Sequence, residues 1–262
     1  MTASAALWLL VLGFSAGVFG ALAGLGGGII LTPVLAIYFG LPIHQAIGIT
    51  LLSVIATSTA TSSQYVEHHV TDIRLGMTLE LATTLGALSA ALLAHHLNRR
   101  TLAILFVCFL AYSAASMVKK AWGSRNQPHE TTVPDYKVQN YPLGLGASLI
   151  AGGLSGLLGI GGGPIKVPVM YLFMKVPLRV ATATSNFMIG VTAATSAYIY
   201  WGRGDINVTI AAPLVAGVFA GSLLGTRLAP RVKTFYILVL LIAVMVWLAG
   251  QMLYKLATGG FS

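Results

Sequence analysis

The sequence predicts an all-α integral membrane protein made of two inverted repeats. Each repeat holds five transmembrane or half-membrane helices and a Gly-rich helix break. Three observations lead there. Of the 262 residues, 56% are hydrophobic and 8% charged, whereas a soluble domain carries roughly a quarter charged residues. The apolar runs form two sets of five, and the basic residues fall unevenly on the two sides that such a chain would present.

In chain order, the first apolar run lies near 4 to 24. It ends in Ala21-Leu22-Ala23 and imitates a secretory signal, but no Lys or Arg precedes Arg74. Without a positive n-region it is read as the first helix. Runs near 28 to 40, 44 to 66, 73 to 95 and 101 to 118 complete a first repeat over residues 1–118. Residues 119–141 form a polar linker with Lys119, Lys120, Arg125, Pro128, Glu130, Pro134, Asp135 and Lys137. A second repeat over 142–262 has runs near 142 to 160, 164 to 174, 178 to 201, 206 to 228 and 233 to 255.

The halves align at an offset of 135, with Gly26-Gly27-Gly28 on Gly161-Gly162-Gly163, Pro33 on Pro168, Pro42 on Pro177 and Ala46 on Ala181. Small gaps extend the match, Asp72-Ile73 onto Asp205-Ile206 and Gly86, Leu97 and Arg100 onto Gly217, Leu228 and Arg231. A continuous helix from Ala5 to Gly40 would be about 54 Å long, against roughly 30 Å of hydrocarbon. The chain must therefore break at Gly24 to Gly28. Each half then makes an odd number of crossings, so the repeats are inverted.

Charge tests this independently. Inversion puts ten basic residues on one side: Arg74, Lys119, Lys120, Arg125, Lys137, Lys175, Arg179, Arg227, Arg231 and Lys233. The other side receives Arg99, Arg100, Arg203 and Lys255, and Lys166 stays inside the membrane. A parallel arrangement would divide the same fourteen evenly. The positive-inside rule favours inversion, with both termini outside the cytoplasm.

The net charge of +9 raises nucleic acid as a partner, but the basic residues sit in short connections without interleaved aromatics, so none is expected. The lipid bilayer is the expected partner, and a homodimer is left open. Cys108 is the single cysteine, read as packing. The pairs His68-His69 and His95-His96, with His44 and His129, lack the i, i+4 spacing of metal ligands and read as interfacial caps. Neither a cofactor nor a resident metal is expected.

Each break joins a long helix to a short one, at Gly24-Leu25-Gly26-Gly27-Gly28 and at Gly159-Ile160-Gly161-Gly162-Gly163-Pro164. Paired Gly-interrupted short segments point to a transporter's midplane substrate site. A helix start leaves about four unbonded N–H groups, and with the positive end of the helix dipole these make an anion site. Glycine supplies the backbone freedom such a cradle needs, and Pro164 suits the first helical position. Gly26, Gly27, Gly28, Gly161, Gly162 and Gly163 are thus candidate substrate-binding residues. The competing reading is close helix packing.

The doubled motif, each copy followed by Pro33 or Pro168 and by Ala-rich helices carrying Ile49-Thr50 or Thr184-Ser185, resembles the sulfite exporter TauE/SafE family over nearly the whole chain. The resemblance implies a bacterial or archaeal inner-membrane permease for sulfur-containing oxyanions such as sulfite, sulfoacetate or other organosulfonates. Members differ in substrate, so it implies the class alone. Lys166 departs from the repeat, since its counterpart is Leu31.

Individual polar residues add candidates. Lys166 lies one turn into a short helix, where a charge costs about 2.5–3.5 kcal/mol on insertion scales; it either completes the anion cradle or snorkels to an interface. Glu80, eight residues into the fourth run with no basic neighbour within a turn, is a candidate proton carrier for coupled transport. A neighbouring hydroxyl holding it neutral is the alternative. Thr184, Ser185 and Asn186, and less strongly Thr50 and Ser53, could donate to oxyanion oxygens or simply pack. The cluster from Thr57 to Ser63 reads as packing.

Two rival readings have some support in the sequence. Gly153-Leu154-Ser155-Gly156 matches the G-x-S-G of rhomboid proteases, but no histidine follows His129 to act as base. No catalytic residue is therefore assigned. Another small anion or a metal ion as cargo is the second rival; Glu67, Asp72 and Asp205 favour cations, while the absence of acidic residues at the breaks favours anions.

Overall fold

The computed structural model describes residues 3–23, 26–68, 70–124, 136–229 and 234–258, and every regular element among them is helical. The first half contributes α1 (Ala3–Ala23), α2 (Gly28–Tyr38), α3 (Ile43–Glu67), α4 (Ile73–Ala94) and α5 (Arg99–Ser124). The second contributes α6 (Tyr141–Leu158), α7 (Gly163–Pro168) running into a π-helical turn (Val169–Phe173), α8 (Leu178–Gly202), α9 (Val208–Leu228) and α10 (Thr234–Ala257). Among the described residues seven helices, α1, α3, α4, α5, α6, α9 and α10, are long and apolar enough to cross a membrane. The chain is a multi-pass membrane protein. α2, with 11 residues, spans about 16 Å at 1.5 Å per residue and is too short to cross alone.

Local chemistry starts and stops these helices. Pro42 and Pro177 occupy the N-caps of α3 and α8 with φ of −53° and −52°, which suits a proline ring. The Asp72 carboxylate accepts the Leu75 N–H at 2.9 Å to start α4, and the Asn207 amide oxygen accepts the Thr209 N–H at 3.0 Å to start α9. α5 runs beyond residue 118 to Ser124, into the segment read as linker. Lys119, Lys120 and Ala121 are good helix formers, so polarity ends the apolar run there without ending the helix. The remainder of that polar segment lies outside the described residues up to 135.

The halves pack through one another: α1 lies along α9, α4 along α6, α3 against α8 and α5 against α10. Small residues make the approach possible. A Cβ on Gly17 would run into the Val218 carbonyl, and one on Gly152 into the Thr83 carbonyl. Likewise Gly86 abuts the Leu149 carbonyl and Gly221 the Phe14 carbonyl. Each contact recurs in the other half at the one offset of 135. This corrects the gapped end of the sequence alignment: Gly86 corresponds in packing to Gly221, not Gly217, and Asp72 to Asn207, not Asp205. Identity drew the alignment to Asp205, whereas the capping role passed to Asn207, whose amide oxygen accepts the same kind of bond. On the outside, Trp8 and Leu81 are 69% and 72% exposed, as apolar side chains facing lipid would be.

Candidate substrate site

The two breaks adopt the same backbone. Gly26 and Gly27 have φ of 75° and 71°, and Gly161 and Gly162 have 79° and 73°, left-handed values that disfavour any other residue. Gly27 and Gly162 cap α2 and α7. Pro164 takes the second helical position, one later than expected. The breaks also meet. A Cβ on Gly28 would lie 2.6 Å from the Gly159 carbonyl oxygen, and Gly26 and Gly161 both face Val54 and Ile189, which are equivalent residues of α3 and α8.

One helical turn before Val54 and Ile189 stand Thr50 and Ser185, on the same helix faces by i, i+4 spacing. Both are fully buried, and among the described residues neither hydroxyl has a hydrogen-bond partner. The same holds for the Asn186 amide nitrogen and for the hydroxyls of Thr32 and Ser155. Buried polar groups are nearly always satisfied. Thr50 and Ser185, equivalent residues one turn from the side chains that face the two breaks, therefore offer donors to something else.

Thr184 and Ser53 are placed differently. The Thr184 hydroxyl oxygen accepts the Asp72 N–H at 3.0 Å, joining α8 to the start of α4, and the Ser53 hydroxyl donates to the Ile49 carbonyl at 3.3 Å within its own helix. Asp72 also accepts from the Tyr136 hydroxyl at 2.7 Å. Burial, then the Asp72 carboxylate, raises the Tyr136 phenol above its ordinary value, so Tyr136 stays a donor at physiological pH.

Lys166 and Glu80 come together. The Lys166 side chain is fully buried and its Nζ lies 3.6 Å from Glu80 Oε2, so it does not snorkel. Thr192 links the two: its hydroxyl oxygen accepts from Lys166 Nζ at 3.2 Å, and its hydroxyl donates to Glu80 Oε1 at 2.6 Å. Thr84, one turn along α4, donates to the same Oε1 at 3.1 Å, a bond that favours the ionised carboxylate beside Lys166. Glu80 Oε2 accepts no hydrogen bond among the described residues. Lys166 also borders the second break, for a Cβ on Gly162 would lie 3.4 Å from its Cε.

Thr192, Val54 and Ile189 are the site residues that sequence reading passed over. The offset of 135 could have flagged Thr192, because Thr57 is its equivalent and each has the carbonyl four residues back within reach of its hydroxyl, that of Ser53 for Thr57 and that of Met188 for Thr192, both at 3.1 Å.

Comparison with known proteins agrees with a transporter. A family model described as "Sulfite exporter TauE/SafE" matches residues 9–252. The probable membrane transporter protein YunE of Bacillus subtilis is 28% identical over 94% of this chain and 97% of its own length. A probable membrane transporter protein of Methanocaldococcus jannaschii is 26% identical over 90% of this chain and 91% of its own. One from Xylella fastidiosa strain Temecula1 is 28% identical over 85% and 83%. No solved structure matches the chain.

Proposed function

The chain belongs to the sulfite exporter TauE/SafE family, and from that premise we propose that it carries small sulfur-containing oxyanions, sulfite or an organosulfonate, across a prokaryotic cytoplasmic membrane. The anion binds between the two glycine breaks. The observation that carries this reading is the meeting of two equivalent breaks beside the orphaned hydroxyls of Thr50 and Ser185 and the orphaned amide of Asn186. An oxyanion presents several acceptors in a small volume, and it suits a site made of N–H and O–H donors with a lysine at its edge. The first and second repeats are inverted, termini outside the cytoplasm, and access alternates as one bundle rocks against the other about the fixed site.

The test is a calorimetric and thermal-shift screen of purified protein against sulfite, sulfate, thiosulfate, sulfoacetate, taurine and non-sulfur anions. Saturable binding of one sulfur oxyanion is expected, with affinity weakened about tenfold in Thr50→Val or Ser185→Ala, the loss of one charge-assisted hydrogen bond. Binding that ignores every sulfur oxyanion while the protein stays folded would overturn the substrate class.

A further inference from the structure

We propose that Glu80 and Lys166 form a proton-linked anion site, in which a proton taken up by Glu80 releases the Lys166 ammonium to hold the transported anion, so that proton and anion cross together. The inference rests on the transport reading above and deepens it.

Charge balance at depth is the first argument. With Glu80 ionised and paired to Lys166, the site is neutral. With Glu80 protonated and a monovalent anion on Lys166, it is neutral again. The mixed states, anion bound beside an ionised Glu80, or a protonated Glu80 beside a bare ammonium, each leave one charge uncompensated in a buried setting, which is strongly disfavoured. The site therefore takes up proton and anion as a unit.

Geometry is the second. The pair is loose, 3.6 Å between Nζ and Oε2 against about 2.7–2.9 Å for a good charge-assisted bond, and it is held through Thr192. That hydroxyl has a second acceptor within reach, the Met188 carbonyl at 3.1 Å, to which it can turn when Glu80 no longer needs its proton. Lys166 meanwhile packs on Gly162 of the second break, so a released ammonium stands beside the proposed cradle.

Third, the fold does not need the pair. At the offset of 135 the equivalents of Lys166 and Glu80 are Leu31 and Val215, the first in the apolar core and the second partly buried against it. The first half thus closes the same arrangement with two aliphatic side chains.

The other ionisable groups on the elements packed around Glu80 can be named. α6 offers Tyr141 at its first residue, and α8 has Arg179 in its first turn and Tyr198 and Tyr200 near its end. Arg74 is on the first turn of α4 itself, and Tyr171 is on the π turn after α7. Lys166 is the charged group at ion-pair distance.

The test is the dissociation constant of full-length protein for methanesulfonate, 2-hydroxyethanesulfonate, nitrate and chloride, monovalent anions none of which titrates between about pH 5.5 and about pH 8.5, across that range. In the wild type, binding of the preferred anion weakens by about tenfold per pH unit once free Glu80 is ionised. Glu80→Gln keeps binding but loses the pH slope. The double variant Lys166→Leu/Glu80→Val copies the other half; it folds and loses binding. A sulfur anion bound equally well at every pH by the wild type, or a slope retained in Glu80→Gln or in the double variant, overturns the inference and leaves the transport reading standing. Binding confined to nitrate or chloride, with the slope, overturns the substrate class and supports the inference. No binding of any anion overturns both.

Discussion

Thr57 and Thr192 occupy equivalent turns of α3 and α8, and each hydroxyl lies 3.1 Å from the carbonyl oxygen four residues back in its own helix. Their surroundings differ. Around Thr57 the equivalent positions hold Leu31 and Val215, while Thr192 joins Lys166 to Glu80. The breaks, by contrast, match to within a few degrees of φ at both pairs of glycines. The backbone is thus built twice and the charge placed once. A bilayer protein can duplicate its scaffold cheaply, because glycine-mediated packing is indifferent to the half it serves, whereas a buried charge must be matched by its opposite.

The comparison is broken most severely by giving one half the other's chemistry incompletely. Lys166→Met strands Glu80, and Leu31→Lys strands a new ammonium. Each should cost on the order of 3–5 kcal/mol in SDS unfolding, and adding Val215→Glu to Leu31→Lys should recover part of the loss. If Lys166→Met is as stable as wild type, the ion pair does not exist in solution. Next come the breaks. Gly27→Ala and Gly162→Ala should each lose about 1–2 kcal/mol to left-handed strain. Gly162 should suffer more, since its new methyl would lie 2.8 Å from the Ala151 carbonyl oxygen against 3.1 Å from that of Ala16 for Gly27. Equal melting points for the two would show that the halves tolerate a side chain alike. Thr184→Val leaves the Asp72 N–H without its acceptor and should cost about 1 kcal/mol, read as earlier hydrogen exchange at the start of α4. Smallest is the effect of Thr50→Val or Ser185→Ala, within about 0.5 kcal/mol of wild type or slightly stabilising, because an orphaned hydroxyl contributes nothing to the fold it is buried in. A clear loss of stability in either would mean that the hydroxyl is bonded after all.

Much of this was legible in the sequence. The ten apolar runs correspond to the helices, and the glycine triplets fall where the chain turns left-handed, because a break between a long and a short apolar run leaves few other residues able to make it. Lys166 and Glu80 were each conspicuous as charges in apolar surroundings. Their pairing was not, since 86 positions separate them and nothing local to either refers to the other. Thr192 was hidden among the hydroxyls of a helix that also carries Thr182, Thr184, Thr195 and Ser196. Which of them is engaged depends on the neighbour, as the difference between Thr184, bonded to α4, and Ser185, bonded to nothing described, makes plain. Pairing Asp72 with Asp205 by identity hides the equivalence of Glu80 with Val215, because matching letters is not the same as matching capping chemistry, and it is Asn207 that caps α9 as Asp72 caps α4.

The interleaving of the halves also sets a timetable for biogenesis. Gly17 of α1 is shaped to receive the backbone at Val218 of α9, about 200 residues later. At roughly 5–20 residues per second of synthesis, α1 waits some 10–40 s for the surface it fits. Throughout that interval its small-residue face must be shielded by lipid, by insertion machinery or by a makeshift neighbour. Ribosome speed and insertase capacity should therefore govern the yield of this protein more than the final stability of its core, and separately expressed halves should accumulate only when they are made together.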